Sequence, residues 1–258
     1  MQTFQVLDTP IGLLTMPEAI HTVAGWLKEE GPCRLVTFAN VHMVVEARLR
    51  PEFGDILRQT DLNCPDGSPI SWIGTALHGG QVSQVSGPDF MPLFCEQTVS
   101  LGCRHFLYGG GEDIAQETAR ELVRRYPGIQ IAGYFTPPFR QLTRLEDKDV
   151  CRSINESGAD VVWVCLGCPK QEAWIVEHRD LLNAKVVLAV GQAFDILAGA
   201  KPRAPKLFRR LGMEWAYRLI QEPGRLWKRY LYTNTLFVFW MLKYFLRNEI
   251  GINRSIET

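Results

Sequence analysis

The chain has 258 residues, 46% of them hydrophobic and 22% charged, and its 28 basic and 28 acidic side chains leave a formal net charge of zero. Such a chain reads as globular, with room for one large core or a core plus an appendage. Its opening, MQTFQVLDTPIGLLTMPE, has neither a basic leader region nor a continuous apolar run, so no cleavable signal is expected and the protein is expected to stay in the cytoplasm.

In chain order, a short strand-like opening leads to Thr15-Met-Pro-Glu18, a capping box with proline in the first turn, and a helix is expected from there through Leu27. Arg34 to Phe38 is a buried strand that ends at Ala39-Asn40. A helix follows from His42 to Leu49, with Met43, Val44 and Ala47 on one face. Pro51 opens a helix to about Gln59, and Leu62 to Pro65 is a short strand running into Asp66-Gly67. A helix over Ile70 to Leu77 ends before His78-Gly79-Gly80.

The second half alternates more plainly, with strands at Arg104 to Tyr108, Ile129 to Tyr134, Val161 to Leu166 and Val186 to Val190. Between the first two, Ile114, Ala115, Ala119, Leu122 and Val123 recur at helical spacing. This rhythm predicts an α/β fold, a Rossmann-like parallel sheet flanked by helices. Ligands of such sheets bind beyond the carboxyl ends of the strands. That rule selects Asn40, Asp66, Gly109, Gly110, Gly111, Gly167 to Gln171, and Gly191 to Asp195.

Past Asp195 the strands stop. The pattern divides the chain into a catalytic core, residues 1–199, and a helical appendage, residues 200–258. Between Lys201 and Arg229 stand nine basic residues (Lys201, Arg203, Lys206, Arg209, Arg210, Arg218, Arg225, Lys228, Arg229) against Glu214 and Glu222. A cluster of this kind attracts phosphates, anionic lipid headgroups or nucleic acid. The run Leu231 to Leu246 is apolar and aromatic, but it is shorter than the roughly 20 residues a spanning helix needs. It is read as an interfacial helix in the membrane surface. The competing reading is a helix packed on the core or on another subunit, the latter giving a homo-oligomer.

Several residues carry candidate chemistry. Asp66 at the end of an apolar strand suits a general base toward a hydroxyl nucleophile, although an Asp-Gly pair also serves as a plain turn. Asp195 suits a ligand hydroxyl or a helix cap. The three glycines after Tyr108 offer backbone amides to a phosphate, but they lack the dinucleotide fingerprint and the Walker lysine. Asp147-Lys-Asp149 spells the D-x-D of metal-dependent sugar transferases. It falls in the first turn of a helix, where acids favour the dipole, so no required metal and no other cofactor is expected. The seven cysteines suit reduced, buried thiols, and Cys165-x-x-Cys168 has no second pair to complete a zinc site.

Taken together, these stretches resemble the WecG/TagA/CpsF proteins, glycosyltransferase family 26. The marks are LGCPKQEAW (Leu166 to Trp174), AFDILAG (Ala193 to Gly199), RAPK (Arg203 to Lys206), LGMEWAYRLIQEP (Leu211 to Pro223), Asn40-Val-His42, Pro65-Asp-Gly67 and Ser86-Gly-Pro-Asp89, spread from about Val36 to Leu231. The resemblance implies inverting, metal-free transfer from a nucleotide diphosphate sugar, typically uridine-linked (a UDP-sugar), to a polyprenyl-diphosphate-linked saccharide at the inner face of the membrane. It also implies Asp66 as general base, Gln171 as an active-site glutamine, and Arg218, Arg225 and either Lys228 or Arg229 as groups closing on the diphosphate.

Two departures stand out. The family's threonine two places before the Asn is Phe38 here, and Thr37 should face the other way. Asp66-Gly-Ser-Pro69 differs from the Asp-Gly-Ile-Gly of mannosaminyl enzymes and looks more like the exopolysaccharide branch. The expectation is thus a peripheral glycosyltransferase on the cytoplasmic face of the plasma membrane. The alternatives are a non-catalytic membrane scaffold or a nucleic-acid-binding protein using the basic stretch. Trp215, Tyr217, Trp227 and Tyr230 follow an apolar helical pattern that argues against nucleic acid as a partner.

Overall fold

A computed structural model describes residues 1–78 and 82–254. Gly79 and Gly80, expected to follow a helix, lie outside the described residues, as do the last four positions of the appendage, 255–258.

The chain opens with an antiparallel hairpin, β1 (Thr3–Val6) and β2 (Thr9–Gly12), followed by α1 (Met16–Trp26). The expected capping box forms there, the Glu18 carboxylate accepting from the Thr15 amide at 2.7 Å. Six parallel strands follow: β3 (Arg34–Ala39), β4 (Leu62–Pro65), β5 (Arg104–Gly109), β6 (Gln130–Phe135), β7 (Val161–Cys165) and β8 (Val186–Ala189). They pair in the order β4-β3-β8-β7-β5-β6. Their helices are α2 (Val41–Leu49), α3 (Pro51–Arg58), α4 (Ser68–His78), α5 (Gly87–Val99), α6 (Ile114–Arg125), α7 (Arg144–Glu156), α8 (Lys170–Glu177) and α9 (Ala193–Leu197). After α9 come α10 (Lys206–Arg210), α11 (Glu214–Gln221) and α12 (Pro223–Arg254).

Alternation along the strands fills both faces of the sheet. Val36, Phe38, Leu107, Trp163 and Leu188 meet Phe90 and Phe94 of α5 on one face. Leu35, Tyr108, Val162, Val164 and Val187 meet Val150 of α7 and Trp174 of α8 on the other. Period-two packing of this kind explains why central strands carry nearly continuous Val, Leu and Ala.

Two elements differ from expectation. Helix α5 lies between Leu77 and Arg104, where no element was expected, and it contains Gly87, Pro88 and Pro92. Pro88 falls in the first turn, where its missing amide costs nothing. Pro92 does remove an internal donor, yet the buried Phe90, Met91, Phe94 and Cys95 outweigh that loss.

The second difference is α12, which packs one side of the final apolar run on the core and leaves the other side exposed. Leu226, Tyr230, Thr233, Phe237 and Met241 are buried, and the last four-residue steps bring Phe237 and Met241 onto Met43, Val44 and Val45 of α2. Leu231, Tyr232, Phe239 and Leu242 stay exposed on the outer side. Among the described residues no helix is long and apolar enough to cross a membrane. Pro223 separates α11 from α12, standing as the first residue of α12.

Candidate active site

The carboxyl ends of β3, β4, β8 and β7 open into a cavity of about 1350 Å³, closed on its far side by α11 and α12. Asn40, Asp66, Gly167 and Gly191 line it from the sheet, and Arg203, Glu214, Arg218 and Arg229 line it from the appendage. Most of the residues selected by the strand-end rule therefore meet in one place.

Asp66 follows β4 directly, and its amide donates to the Ala39 carbonyl at 3.0 Å, which tethers the turn to the end of β3. Its side chain faces the cavity. Burial is the main cause that raises its carboxyl, and Glu214 across the cavity adds to it. Arg218 and Arg203 pull it down, Asp89 pushes it up slightly, and the outcome is about 7. A carboxylate poised there suits proton abstraction near neutral pH. The turn reading alone does not account for that environment.

Gln171 is buried, and all of its polar capacity is used. Its Oε1 accepts from the amides of Gly167 (3.2 Å) and Gly191 (3.1 Å), while Nε2 donates to Glu172 Oε1 (2.7 Å) and the Ala189 carbonyl (3.3 Å). One side chain thereby clamps the ends of β7 and β8 together. The amides of Gly167 and Gly191 are spent on that clamp, so these glycines shape the cavity without donating into it. Glu172 beside it is fully buried, its carboxyl raised to about 7 by burial, and its Oε2 has no hydrogen-bond partner among the described residues.

The glycines after Tyr108 split in role. Gly110 and Gly111 line the cavity, with the Gly110 amide donating to the Cys165 carbonyl at 2.8 Å. Gly109 sits behind them, and a Cβ there would overlap the Cys165 carbonyl. Its requirement for glycine is one of packing between β5 and β7.

The basic residues divide as well. Arg218 Nη2 donates to Gln192 Oε1 at 2.8 Å, Arg225 pairs with Glu222 at 2.6 Å, and Arg229 lines the cavity with a buried, unpartnered Nε. Lys228 lies outside, its ammonium 5.5 Å from the Trp227 ring centre on the exposed surface. Of the pair Lys228 and Arg229, the structure brings only Arg229 to the site. Asp195 is no helix cap, because it falls within the first turn of α9, where it lines the cavity 3.7 Å from Lys201.

Thr37 does face away, as the strand period requires, and its hydroxyl donates to Asn63 at 2.5 Å. Phe38 occupies the cavity wall instead. Asp147 accepts from Trp174 Nε1 at 3.1 Å and meets His178 Nε2 at 2.6 Å, while Asp149 pairs with Arg152 on the surface. Among the described residues no group of three or more His, Cys, Asp and Glu is arranged to hold a metal ion. All seven cysteines are free, and burial pushes Cys165 up to about 12 and Cys168 higher still, so both stay as thiols.

Three site residues escaped the reading of the sequence. Arg203 and Glu214 were read only as charges of the basic stretch and as letters within RAPK and LGMEWAYRLIQEP, and Asp89 only within Ser86-Gly-Pro-Asp89. Their roles depend on a contact across more than a hundred residues: Arg203 bridges Asp89 (2.5 Å) and Glu214 (2.8 Å).

The chain is similar to known proteins over most of its length. The family model for the glycosyl transferase WecG/TagA/CpsF family matches residues 4–250. A Bacillus spizizenii protein named N-acetylglucosaminyldiphosphoundecaprenol N-acetyl-beta-D-mannosaminyltransferase is 31% identical over 211 residues, covering 82% of this chain and 79% of its own. Its namesake in Bacillus subtilis is 30% identical over 76% of this chain and 75% of its own. One in Staphylococcus aureus strain MRSA252 is 27% identical over 87% and 85%. The family-model match spans the strand-end residues and the appendage alike, and the chain belongs to the WecG/TagA/CpsF family of glycosyl transferases.

Proposed function

We propose that this glycosyltransferase moves a sugar from a uridine diphosphate sugar to a saccharide carried on a polyprenyl diphosphate, with inversion and with no required metal. The observation that carries this reading is the Asp66 carboxyl, raised to about 7 at the strand end and facing guanidinium groups across the same cavity. Asp66 takes the proton of the acceptor hydroxyl as that oxygen attacks the anomeric carbon. The bond from that carbon to the diphosphate breaks on the opposite face.

Negative charge grows on the leaving nucleoside diphosphate. Arg218, Arg225 and Arg229 meet it, which is the role a divalent cation would otherwise take. Gln171 acts as a positioning residue through its clamp on Gly167 and Gly191. Asn40, Gly110, Gly111 and Asp195 bind the donor. Residues 200–258 function as an appendage to the core formed by 1–199.

The relatives are named for a diphosphoundecaprenol acceptor bearing N-acetylglucosamine and for transfer of N-acetylmannosamine. That supports a polyprenyl-linked acceptor for this chain. Asp66-Gly-Ser-Pro69 departs from the mannosaminyl pattern, which favours a different donor sugar and an exopolysaccharide product. An acceptor whose tail stays in the bilayer requires the enzyme at the cytoplasmic surface of the membrane. The outer face of α12 supplies apolar contact there, and each nearby Lys or Arg adds roughly 1 kcal/mol on an anionic leaflet.

The test is release of uridine diphosphate from a panel of uridine diphosphate sugars with lipid-linked acceptors, with and without chelator. Turnover that survives chelation and disappears in Asp66→Asn supports the reading. Unchanged turnover in Asp66→Asn overturns the assignment of the base, and loss on chelation that magnesium restores overturns the metal-free mechanism.

A further inference from the structure

Strand β4 is an edge of the sheet, and the segment 82–86 runs beside it without regular structure. The peptide between Pro65 and Asp66 is planar and trans, so its N–H and C=O point opposite ways. The N–H goes to Ala39 on β3 at 3.0 Å, and the C=O accepts from the Val85 amide at 2.8 Å. Val85 and its neighbour Gln84 therefore stand on the outer side of β4. On the other flank of Gln84, the Ser83 amide donates to the Leu14 carbonyl at 3.3 Å, and Ser83 Oγ accepts from the Met16 amide at 3.0 Å. The backbone is pinned on both sides of Gln84, whose side chain lines the cavity.

Ser68, the first residue of α4, is buried and lines the same wall two positions past Asp66. Its Oγ donates to Gln84 Oε1 at 3.2 Å. That bond orients the amide and engages Oε1 alone, so the two Nε2 hydrogens are outside it. Ser68 is one of the two letters by which this turn departs from the Asp-Gly-Ile-Gly form, and an isoleucine there could not make the bond.

Inversion sets the acceptor oxygen and the leaving diphosphate on opposite sides of the anomeric carbon. Asn40, Asp195, Gly110 and Gly111, read as binding the donor, follow β3, β8 and β5, and Arg218 meets Gln192 after β8. In the strand order β4-β3-β8-β7-β5-β6 all of these lie on one side of Asp66. Gln84, with Ser68 bonded to it, lies on the other. The rim on that side is apolar: a Cβ at Gly212 would sit 2.8 Å from Ser68 and 2.9 Å from Trp72, and Trp72, Leu211 and Met213 are all exposed. A substrate with a hydrocarbon tail meets apolar surface there.

We propose that Ser68 and Gln84 form the contact that reads the terminal sugar of the lipid-linked acceptor, Gln84 Nε2 donating to an oxygen of that sugar while Ser68 holds the amide in place. The inference rests on the proposed reading of Asp66 as the base of an inverting transfer. The sugar is an uncharged one. The cations that reach this edge are already committed, Arg203 to Asp89 (2.5 Å) and Glu214 (2.8 Å), and Arg209 to Asp89 (3.3 Å). A carboxylate on the sugar would have to compete with those acids, whereas an amide donor suits a hydroxyl or an acetamido oxygen.

The experiment is titration calorimetry on the full-length protein. The probes are uridine diphosphate, a short prenyl diphosphate, and the same prenyl diphosphate carrying either N-acetylglucosamine, the acceptor sugar in the relatives' names, or glucuronic acid. The parent is expected to bind the N-acetylglucosamine probe more tightly than the bare prenyl diphosphate, and the glucuronic acid probe no more tightly than the bare one. Gln84→Ala should weaken the N-acetylglucosamine probe by about tenfold, the scale of one hydrogen bond, and leave uridine diphosphate and prenyl diphosphate within about twofold. Ser68→Ala keeps the shape of the wall and releases Oε1, and it should weaken the same probe by about threefold.

Unchanged affinity for the N-acetylglucosamine probe in both variants overturns the assignment. An equal loss for the bare prenyl diphosphate gives the pair to the diphosphate instead of the sugar, and a loss shared by uridine diphosphate marks a disturbed cavity; both outcomes count against the proposal. A parent that gains nothing from the sugar, or binds the glucuronic acid probe as tightly as the N-acetylglucosamine one, overturns the uncharged class. Asp66→Asn should bind every probe as the parent does. If that variant also keeps its turnover, the reading of the base fails while the affinity pattern at Gln84 stands, so the two failures are told apart.

Discussion

Arg218 reaches from α11 to Gln192 in the turn after β8, Nη2 to Oε1 at 2.8 Å, and so holds a guanidinium of the appendage above the carboxyl end of a central strand. In the proposed mechanism, charge that develops on a leaving diphosphate meets this cation already in position. Arg218→Ala should lower kcat/KM by about 10²–10³-fold, the scale of losing one preorganised stabilising group. Arg218→Lys should recover part of it, because the charge remains while the fork is lost. Lys228→Ala, outside the cavity, should change the rate by no more than about twofold. Steady-state kinetics on the three variants compares them directly.

Asp66 and Glu172 make folding depend on pH in an unusual direction. Burial raises both carboxyls to about 7, so the folded protein binds these protons more tightly than the unfolded chain does. Their contribution to stability is complete at pH below the ordinary carboxyl values and is lost as pH rises through about 4 to 7. Asp66→Asn should therefore unfold at a higher temperature than the parent at pH 8. The gain should be on the order of 1–2 kcal/mol, reduced because the cavity admits solvent, and should vanish near pH 4. Thermal unfolding across that range checks the sign.

A fragment ending before Lys201 should keep the six-stranded sheet and lose transfer. It removes Arg203, Glu214, Arg218 and Arg229 from the cavity wall. It also strips Phe237 and Met241 from Met43 and Val44, so the fragment should need detergent to stay dispersed. Circular dichroism and uridine diphosphate release separate the two effects, and full activity in the fragment would remove the appendage from the mechanism.

The outer face of α12 should govern attachment to lipid. Phe239→Glu with Leu242→Glu places charge on two exposed apolar positions, 58% exposed each. Stability should change by no more than about 0.5 kcal/mol. Co-sedimentation with anionic vesicles should fall several-fold. Equal binding by parent and variant would move the membrane contact elsewhere.

Much of this was legible because central strands of a parallel sheet are buried on both sides and read as apolar runs. Val161 to Cys165 and Val186 to Ala189 carry that signal, and the strand-end rule then led to Asp66, Gln171 and Gly191. Helix α5 was hidden because its helix-breaking residues are local, whereas the burial of Phe90 and Phe94 that outweighs them is tertiary. Glu214 was counted only as an acid within a basic stretch. Its partner Arg203 is 11 positions away, but the group it acts on, Asp66, is on the other side of the chain's topology. Gln171 looked like a group for the substrate, and its four hydrogen bonds to backbone and to Glu172 could be found only in three dimensions.

Helix α12 has a wet side and an oily side, and the two are separated by only its own thickness of about 10 Å. Arg225, Arg229 and Asn234 look into the cavity, while Leu231, Phe239 and Leu242 look out of the protein. A substrate with a charged head and a hydrocarbon tail is matched by this single rod at both ends. In the proposed function the rod is a threshold, with the tail left in hydrocarbon on one side while the head is worked upon in water on the other.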